Sequence, residues 1–551
     1  MITSQRIIAF IILGVFFCWF VFFVVAPKRP FHHPDGFDYL QMALNLAHEK
    51  DFLSSQVAVH HAYWFSLHGV DLHNVSTVPM LYRFPLPVIL EAAFIRLGFS
   101  PYVAAQMYAT LGCLFSGLML FWIVLRFSDS GGAALALVSA FLLSESTLGY
   151  AIAGLTESWA TFFFLLLLLV LISPMTLLVR TILGALLCGL AFLNRTPSIF
   201  IMLPILFCGI IISRRQIKFS IKNTFNIIFA SFVVFIVIIF PWLYHNYTIT
   251  GNWFFNFTNA VNLLNGLEKP TSYATFYSMS TLDFISSNFP YIIQKVFSNM
   301  ISGVLNLRTL LNISKMVLLP FLLGLGIVIH GNLKLLSDVN LPWFRRVVIL
   351  WVAACFFNLA GQSLAFGQLD RFYAPLWPMV LVLAFVGNYF LLQYISELFI
   401  FFKARVSKNT ITSLAGIITG VLYLALNPPL FHPVEVPLSF RPWKTVQAVR
   451  ECKDILCRAE TNGAIISDVS DVFAVELHGC KLLMCGYQFD TRLLESSSLK
   501  EWDKFVKVIA IFISRKGWEN MSQEDRGILR EKEKEYPRII DFADGSRLYL
   551  K

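Results

Sequence analysis

The sequence predicts a polytopic α-helical membrane protein of about 11 spans, with interfacial helices in the first outer loop and a small C-terminal α/β extracytoplasmic domain. Hydrophobic residues make up 57% of the 551 residues, charged residues only 14%, and the mean hydropathy is +0.68. A soluble domain carries roughly 25% charged residues. The composition therefore excludes an ordinary globular enzyme. A net charge of +10 without any nucleic-acid-binding motif does not indicate a nucleic-acid partner.

Apolar segments approach the roughly 20 residues that cross a bilayer at eleven places. The first is followed by Lys28-Arg29-Pro30 in place of a small-residue cleavage site, so we interpret it as a retained span and not a signal peptide. The predicted spans are Ile7–Ala26, Pro101–Leu125, Ala133–Leu148, Glu157–Ile172, Leu177–Phe192, Pro197–Ser213, Asn226–Leu243, Met316–His330, Val347–Phe366, Pro375–Tyr394 and Ile411–Leu426.

Basic residues in the short loops predict the orientation, because Lys and Arg concentrate on the cytoplasmic side. With eleven spans, the loops Pro27–Pro87 and Tyr244–Lys315 and the tail lie outside, although Lys28 and Arg29 dissent. This count requires Leu86–Leu97 to be a non-spanning interfacial helix, which Glu91 and Arg96 within it favour. The basic residues that this count places in cytoplasmic loops are Arg126, Arg214, Arg215, Lys218, Lys222, Lys334, Arg345, Arg346, Lys403, Arg405 and Lys408.

The chain divides by composition into a membrane domain over residues 1–430, with the first outer loop at 27–100, and a charged domain over 431–551. Strands alternating with helices in the tail predict a small α/β domain. Predicted strands are Gly463–Val469, Lys481–Cys485 and Val506–Ser514; predicted helices are Asp471–His478, Glu495–Phe505 and Ser522–Tyr536; Arg538–Leu550 is predicted to be a closing hairpin.

Four tail cysteines form two C-x4-C pairs, whereas the other five lie in predicted spans. On the oxidising side of a membrane this pattern predicts two disulfides, Cys452–Cys457 with Cys480–Cys485, or bonds crossed between the pairs. A zinc site is the alternative, because C-x4-C is within its range of ligand spacings.

Two aspartates, Asp35 and Asp38, follow the first span and precede the amphipathic segment Tyr39–Leu46. A carboxylate at this position can serve as a general base. It can equally cap the helix that follows by accepting hydrogen bonds from free backbone amides. The sequence alone leaves both interpretations open, and it does not decide which aspartate would be the base.

Several other polar residues lie at predicted outer ends of spans or in the first loop. Arg83 follows Tyr82 and precedes the segment Leu86–Leu97; Glu157 opens a span, and Arg195 follows another. An arginine at such a place can bind phosphate bidentately or place its charge at the membrane surface. A glutamate that opens a helix can line a polar cavity or simply interact with the helix dipole.

Two further segments are His245-Asn246-Tyr247, at the end of one span, and Asp370-Arg371-Phe372-Tyr373-Ala374-Pro375, at the start of another. The order of these segments resembles the type C glycosyltransferase superfamily, and in particular bacterial protein mannosyltransferases and the lipid A aminoarabinose transferase. The chain departs from the pattern at His245, where the superfamily commonly has Arg, and at Phe372, which is inserted between Arg and Tyr.

The resemblance implies an integral membrane glycosyltransferase of the bacterial inner membrane, with its active site on the periplasmic side. It would move a sugar from a polyprenyl-phosphate donor to a lipid, glycan or protein acceptor, with inversion, in glycan biosynthesis of the cell envelope. Asp35 or Asp38 would be the base, and the spacing to Tyr39 favours Asp35. The implied substrate-binding residues are Arg83, Tyr82, Glu157, Arg195, His245, Arg371 and Tyr373.

Histidines are frequent in the first loop, and His32, His33 and His61 could hold a divalent cation beside Asp35, as some enzymes of this superfamily require. No spacing matches a dedicated metal site, so no cofactor is certain. Two other classes of function remain alternatives: a flippase for lipid-linked saccharides, and a non-catalytic membrane scaffold. A eukaryotic endoplasmic-reticulum setting also stays open.

Overall fold

A computed structural model describes residues 4–26, 33–49, 51–73, 75–217, 221–267, 271–330, 341–365, 369–398, 407–425, 443–457, 463–486 and 497–551. The chain forms two compact units, each built from three stretches. The membrane unit comprises Met1–Pro30, Gln106–Leu243 and Val296–Glu435, and the loop–tail unit comprises Phe31–Ala105, Tyr244–Lys295 and Val436–Lys551. The predicted division into domains 1–430 and 431–551 stays a prediction.

Helices dominate the described part of the chain. Before residue 260 they are Ser4–Trp19 with its π-helical continuation Phe20–Val25, Pro34–Glu49, Val59–Leu67, Pro85–Arg96, Pro101–Ser128, Gly131–Leu143, Glu145–Ile152, Glu157–Leu171, Leu177–Asn194, Ser198–Ile217, Ile221–Thr250 and Phe257–Leu264. After it they are Tyr273–Tyr277, Thr281–Ser287, Phe289–Leu305, Leu307–Leu310, Lys315–His330, Leu341–Leu364, the 3-10 turn Asp370–Leu376, Trp377–Leu398, Lys408–Leu424, Trp443–Leu456, Ser470–Glu476, Ser498–Trp502, Arg515–Asn520 and Gln523–Lys532.

Six helices in the described residues are long and apolar enough to cross a membrane, and a pair bent by 59° would make a seventh. Four shorter apolar helices complete a set that overlaps all eleven predicted spans. This confirms the prediction of a polytopic α-helical membrane protein. The six long helices are Ile7–Val25, Pro101–Ser128, Leu177–Asn194, Thr224–Thr250, Pro342–Leu364 and Asp370–Ser396, the bent pair is Gly131–Leu143 with Glu145–Ile152, and the shorter ones are Glu157–Leu171, Ser198–Ile212, Lys315–His330 and Asn409–Leu424.

Two glycines let neighbouring membrane helices approach backbone to backbone. A Cβ atom on Gly324 would lie 1.9 Å from the carbonyl oxygen of Leu383, and one on Gly387 would lie 1.9 Å from that of Pro320. Small residues permit such close helix packing inside a membrane, where van der Waals contact is a main source of helix association. The contact joins the helices Lys315–His330 and Trp377–Leu398 within the membrane unit.

The loop–tail unit is built around a six-stranded sheet. The strands are β1 (Leu53–Ser54), β2 (Gln56–Ala58), β3 (Val78–Pro79), β4 (Gly463–Ser467), β5 (Leu482–Gly486), β6 (Val508–Ile513), β7 (Arg538–Asp541) and β8 (Arg547–Leu550). The order in the large sheet is β2-β5-β4-β6-β8-β7, and β1 pairs separately with β3. The neighbouring strands β2, β5, β4 and β6 run parallel to one another, whereas β8 is antiparallel to β6 and to β7.

Parallel strands covered on both faces are continuous apolar runs, and β4 is buried at all five of its residues. This run is what made the tail strands predictable, and β4, β5 and β6 are confirmed together with the hairpin β7–β8. The sequence did not indicate β2: its three residues, in the loop after the first span, form the edge strand beside β5. Three residues are too few for a period-2 pattern.

A single disulfide joins Cys457 to Cys480 within the described residues, with Cα atoms 5.5 Å apart. Cys452 and Cys485 are free and buried. Pairing inside each C-x4-C motif is therefore wrong, and the bond connects the two motifs. Cys457 and Cys480 both pack against the same hydrophobic cluster, whereas Cys485 is buried in another one.

Candidate active site

The two predicted acids open a helix of the loop–tail unit. The helix Pro34–Glu49 begins beside His33, whose Nδ1 accepts a hydrogen bond from the backbone N–H of Asp35 at 3.1 Å. Residues three apart lie on the same face of a helix, and Asp35 and Asp38 accordingly both bind the same side chain. His33 Nδ1 also lies 3.9 Å from Asp35 Oδ2.

That shared partner is Arg83, which lies just before the helix Pro85–Arg96. Its Nη2 is 2.6 Å from Asp35 Oδ1 and also contacts Asp38 Oδ2, and its Nε donates to Asp38 Oδ2 at 3.2 Å. The guanidinium lies over the rings of Tyr39 and Tyr82, 5.4 and 5.6 Å from their centroids. The sequence predicted these residues separately, and the structure brings them into one cluster, which we call the acid cluster (Asp35, Asp38 and Arg83).

The two carboxyl groups of the acid cluster differ in environment. Burial raises the pKa of Asp38 from its ordinary 3.8 to about 7, against the opposing effect of Arg83, while Asp471 and Asp35 push the pKa in the same upward direction. Asp38 Oδ1 is buried without a hydrogen-bond partner among the described residues. The Asp35 side chain is 21% exposed and that of Asp38 only 10%. Asp35 is thus the more accessible acid, and Asp38 holds its proton up to near-neutral pH.

A polar network lies next to the acid cluster. Gln41 Nε2 donates to Ser54 Oγ at 2.9 Å, and Ser54 Oγ lies 3.3 Å from the Tyr82 hydroxyl. Burial raises the pKa of the Tyr82 phenol well above its usual range, so Tyr82 stays protonated. Sequence reasoning missed Gln41 and Ser54. The signal was available for Gln41, because Asp38, Gln41 and Asn45 form a polar stripe at helical spacing on a buried face.

A second group of predicted residues meets in the membrane unit, and we call it the arginine cluster (Glu157, Arg195 and Arg371). Arg195 Nη1 is 2.9 Å from Glu157 Oε1, and Arg371 Nε is 3.9 Å from the same oxygen. The Glu157 side chain is 2% exposed, that of Arg195 10% and that of Arg371 30%. Glu157 thus lies close to two guanidiniums, and Arg371 is the more exposed of the two arginines.

The local structure explains why these three residues meet. Gly154 adopts φ +65° in the turn before Glu157, a conformation that other residues seldom adopt. Asn194 ends the helix before Arg195, and its side chain donates to the carbonyl oxygen of Thr156 at 3.0 Å, which ties the two segments together. Asn358 Nδ2 donates to the carbonyl oxygen of Phe372 at 3.3 Å and thereby anchors the turn that carries Arg371.

The remaining predicted site residues lie elsewhere in their units. His245 Nε2 lies 3.3 Å from the carbonyl oxygen of Met80 in the loop–tail unit. Tyr373 is fully buried in the membrane unit. His61 is buried and stacks on Phe257 with ring centroids 4.0 Å apart, and burial lowers its pKa well below its usual range. The substrate-binding roles of His245, Tyr373 and Tyr82 stay predictions.

The possible cation beside Asp35 stays a prediction. Among the described residues, no three His, Cys, Asp or Glu side chains gather as a metal site would require. His32 lies outside the described residues. His61 packs between aromatic rings, where a stacked neutral imidazole is a structural element.

The sequence matches no family profile and no curated protein. Solved membrane-protein structures nevertheless share its fold over nearly the full chain, at 11–13% identity. They include an ArnT and an archaeal oligosaccharyltransferase, and the likeness shows that this chain shares their fold.

ArnT from Cupriavidus metallidurans, solved with undecaprenyl phosphate bound, has 12% identity and a TM-score of 0.53, with 100% of this chain and 98% of that chain covered. The apo form of the same protein gives 11% identity and a TM-score of 0.52, with 98% and 97% covered. The archaeal oligosaccharyltransferase AglB from Archaeoglobus fulgidus, in complex with an inhibitory peptide and a dolichol-phosphate, has 13% identity and a TM-score of 0.51, with 93% and 69% covered.

Proposed function

We propose that this chain is an integral membrane glycosyltransferase that moves a sugar from a polyprenyl-phosphate donor to an acceptor hydroxyl in the periplasm. The observation that carries the proposal is the acid cluster, in which an accessible carboxylate is held at a fixed position by an arginine. The fold supports it, because ArnT and AglB share this fold and were solved with undecaprenyl phosphate and with dolichol-phosphate.

Asp35 is the proposed general base. It takes the proton of the acceptor hydroxyl, the hydroxyl oxygen attacks the anomeric carbon, and the bond from that carbon to the phosphate oxygen breaks. The configuration at the anomeric carbon inverts, and the electron pair leaves with the polyprenyl phosphate. Asp38 is the weaker candidate for the base, because its carboxyl is buried and holds its proton to about pH 7. Its role is to orient Arg83, and through Arg83 the base.

The leaving phosphate needs positive charge more than it needs a proton, because it departs as an anion. Arg371 is the proposed main contact, since it lies in one cluster with a second arginine and is the more exposed of the two. Charge that develops in the transition state is stabilised most effectively by groups that are already in place. Arg195 and Arg83 are secondary candidates, and the two carboxylates around Arg83 favour a positioning role for that residue.

The test is sugar transfer by the purified full-length protein in detergent. Short-chain polyprenyl phosphates carrying radiolabelled hexoses or pentoses serve as donors, and bacterial membranes supply acceptors. We expect label to move from the lipid into acceptor and free polyprenyl phosphate to appear, with both signals abolished in an Asp35→Asn/Asp38→Asn double variant. Asp71→Asn is the matched control, because Asp71 is an exposed acid of the same loop.

Transfer that persists in the double variant would refute a role for this acid cluster in the chemistry. Movement of the lipid-linked sugar from one leaflet of a proteoliposome membrane to the other, without any bond cleavage, would instead identify a flippase. Neither transfer nor movement, with every donor tested, would favour a scaffold.

A further inference from the structure

The ring of Phe372 lies next to both guanidiniums of the arginine cluster. The guanidinium carbon of Arg195 is 5.0 Å from the ring centroid, and that of Arg371 is 5.3 Å from it. A guanidinium within about 6 Å of a ring centroid is attracted by the ring quadrupole, more strongly where water is excluded. Phe372 is 93% buried, since only 7% of its surface is exposed.

The ring is held in place by its own backbone. The Phe372 N–H donates to the carbonyl oxygen of Leu369 at 3.1 Å, and its carbonyl oxygen accepts from Asn358 Nδ2 at 3.3 Å. The side chain therefore belongs to the rigid 3-10 turn that also carries Arg371. Phe372 is the residue by which this chain departs from the superfamily pattern, so the pattern assigns it no role.

Two guanidiniums near one another repel, so neighbouring groups must hold them together. Glu157 supplies one attraction, but it binds unequally: 2.9 Å to Arg195 and 3.9 Å to Arg371. The exposed fractions follow the same order, with Arg195 at 10% and Arg371 at 30%. Arg195 thus makes the closer contact with Glu157, and Arg371 is the more exposed of the two arginines.

We infer that Phe372 is a positioning residue, which keeps Arg371 and Arg195 together so that Arg371 can bind the phosphate of the lipid donor. This inference rests on the proposed function. It adds Phe372 to the site and gives the two arginines different partners, the phosphate for Arg371 and Glu157 for Arg195. When the phosphate binds Arg371, it replaces the long contact to Glu157, while Arg195 remains paired with Glu157. No covalent change is involved.

The experiment measures binding of a fluorescent short-chain polyprenyl phosphate to the full-length protein by anisotropy. Phe372→Met removes the aromatic ring and keeps much of the volume, and loss of two cation–π contacts predicts about 5- to 30-fold weaker binding. Phe372→Tyr keeps the ring face and should bind within about 2-fold of the unmodified protein. Trp343→Met is the matched control, because Trp343 lies 5.0 Å from Arg126 in the same unit, away from the cluster.

Thermal stability of the unliganded variants separates positioning from packing. If Phe372→Met and Phe372→Tyr weaken binding equally, or if Phe372→Met binds as tightly as the unmodified protein, the positioning role is refuted. A double-mutant cycle with Arg371→Ala gives a further test. In the Arg371→Ala background, Phe372→Met should cause little additional loss of lipid-phosphate binding. If instead Arg371→Ala and Arg195→Ala both bind the lipid phosphate normally, the phosphate site of the proposed function itself has failed.

Discussion

The two clusters are built from the same kinds of residue in opposite proportion. In the acid cluster two carboxyl groups share one guanidinium, whereas in the arginine cluster two guanidiniums share one carboxylate. Each cluster therefore contains two groups of one kind, two acids in the loop–tail unit and two arginines in the membrane unit. In each pair one group is the more exposed, Asp35 among the acids and Arg371 among the arginines.

Under the proposed function, the comparison suggests how a shared partner can orient both the proposed base and the proposed phosphate-binding arginine. A charged group that shares its partner is oriented by that partner. In the proposal it can still accept a proton, as Asp35 would, or bind a phosphate, as Arg371 would. In the proposal, the buried member, Asp38 or Arg195, helps to orient the shared partner, and the exposed member, Asp35 or Arg371, acts on the substrate. Each prediction below removes one member and asks whether that division of roles holds.

The largest effect is expected from substitution of Asp35, the more exposed acid. Asp35→Asn keeps the shape of the side chain but cannot accept a proton, so kcat for sugar transfer should fall about 10²- to 10⁴-fold. Binding of the lipid donor should stay near that of the unmodified protein. Asp38→Asn should cost less, because its proposed role is to orient Arg83. Both variants are compared in the same detergent preparation.

A variant Asp35→Asn with full turnover, beside an inactive Asp38→Asn, would reverse the assignment and make Asp38 the base. The roles of exposed and buried members would then be exchanged in the acid cluster. The raised pKa of Asp38 would in that case be the property that suits it to proton transfer near neutral pH.

An intermediate effect is expected from substitution of Arg371, the more exposed arginine. A charge-assisted hydrogen bond contributes roughly 1.5–3 kcal/mol, so Arg371→Ala should weaken use of the donor by about 10- to 100-fold. Arg371→Lys should recover only part of the loss, because the planar fork that matches phosphate is gone. Steady-state kinetics over a range of donor concentrations measures the effect, with Arg126→Ala as control. Unchanged KM and kcat in Arg371→Ala would move the phosphate site elsewhere.

The smallest effect concerns the buried acid and the pH. The folded protein holds the Asp38 proton to about pH 7, whereas an unfolded chain releases it near 3.8. Between these values the folded state binds the additional proton, so its stability falls as the pH rises from about 4 to about 7. Asp38→Asn lacks this dependence.

Melting curves at pH 5, 6, 7 and 8 should therefore show the variant gaining stability relative to the unmodified protein as the pH rises to about 7, with no further gain above it. A constant difference across this range would show that Asp38 is already ionised at pH 5. Asp71→Asn again serves as the control, because Asp71 is exposed.

Much of this architecture was predictable because membranes and sheets impose simple patterns. The eleven apolar stretches and the continuous apolar run of β4 follow from burial alone, and both are present. The acids and arginines were predictable as candidates, because charged residues at the ends of apolar helices are costly without a purpose. Their roles in substrate binding and catalysis stay predictions.

What the sequence could not provide is which of these residues meet. Asp38 and Arg83 are 45 residues apart, and nothing in the spacing indicates that one arginine contacts both acids. Phe372 looked like a deviation from a pattern, whereas the structure shows its ring beside two guanidiniums. The disulfide Cys457–Cys480 likewise depends on which cysteines the hydrophobic clusters enclose. Contacts between distant segments depend on the folded chain and leave no local periodicity.

The edge strand β2 has a consequence for how the protein is made. β2 lies early in the chain, and its neighbour β5 lies in the tail. The Gln56 side chain also donates a hydrogen bond to Ser470, 414 residues further along the chain, at 3.0 Å. During synthesis β2 must therefore wait until the segment that carries Ser470 and β5 has left the ribosome. Translation at about 5–20 residues per second makes that wait roughly 20 to 80 seconds. An interrupted polypeptide would lack the strand that pairs with β2, and its first loop could not finish folding.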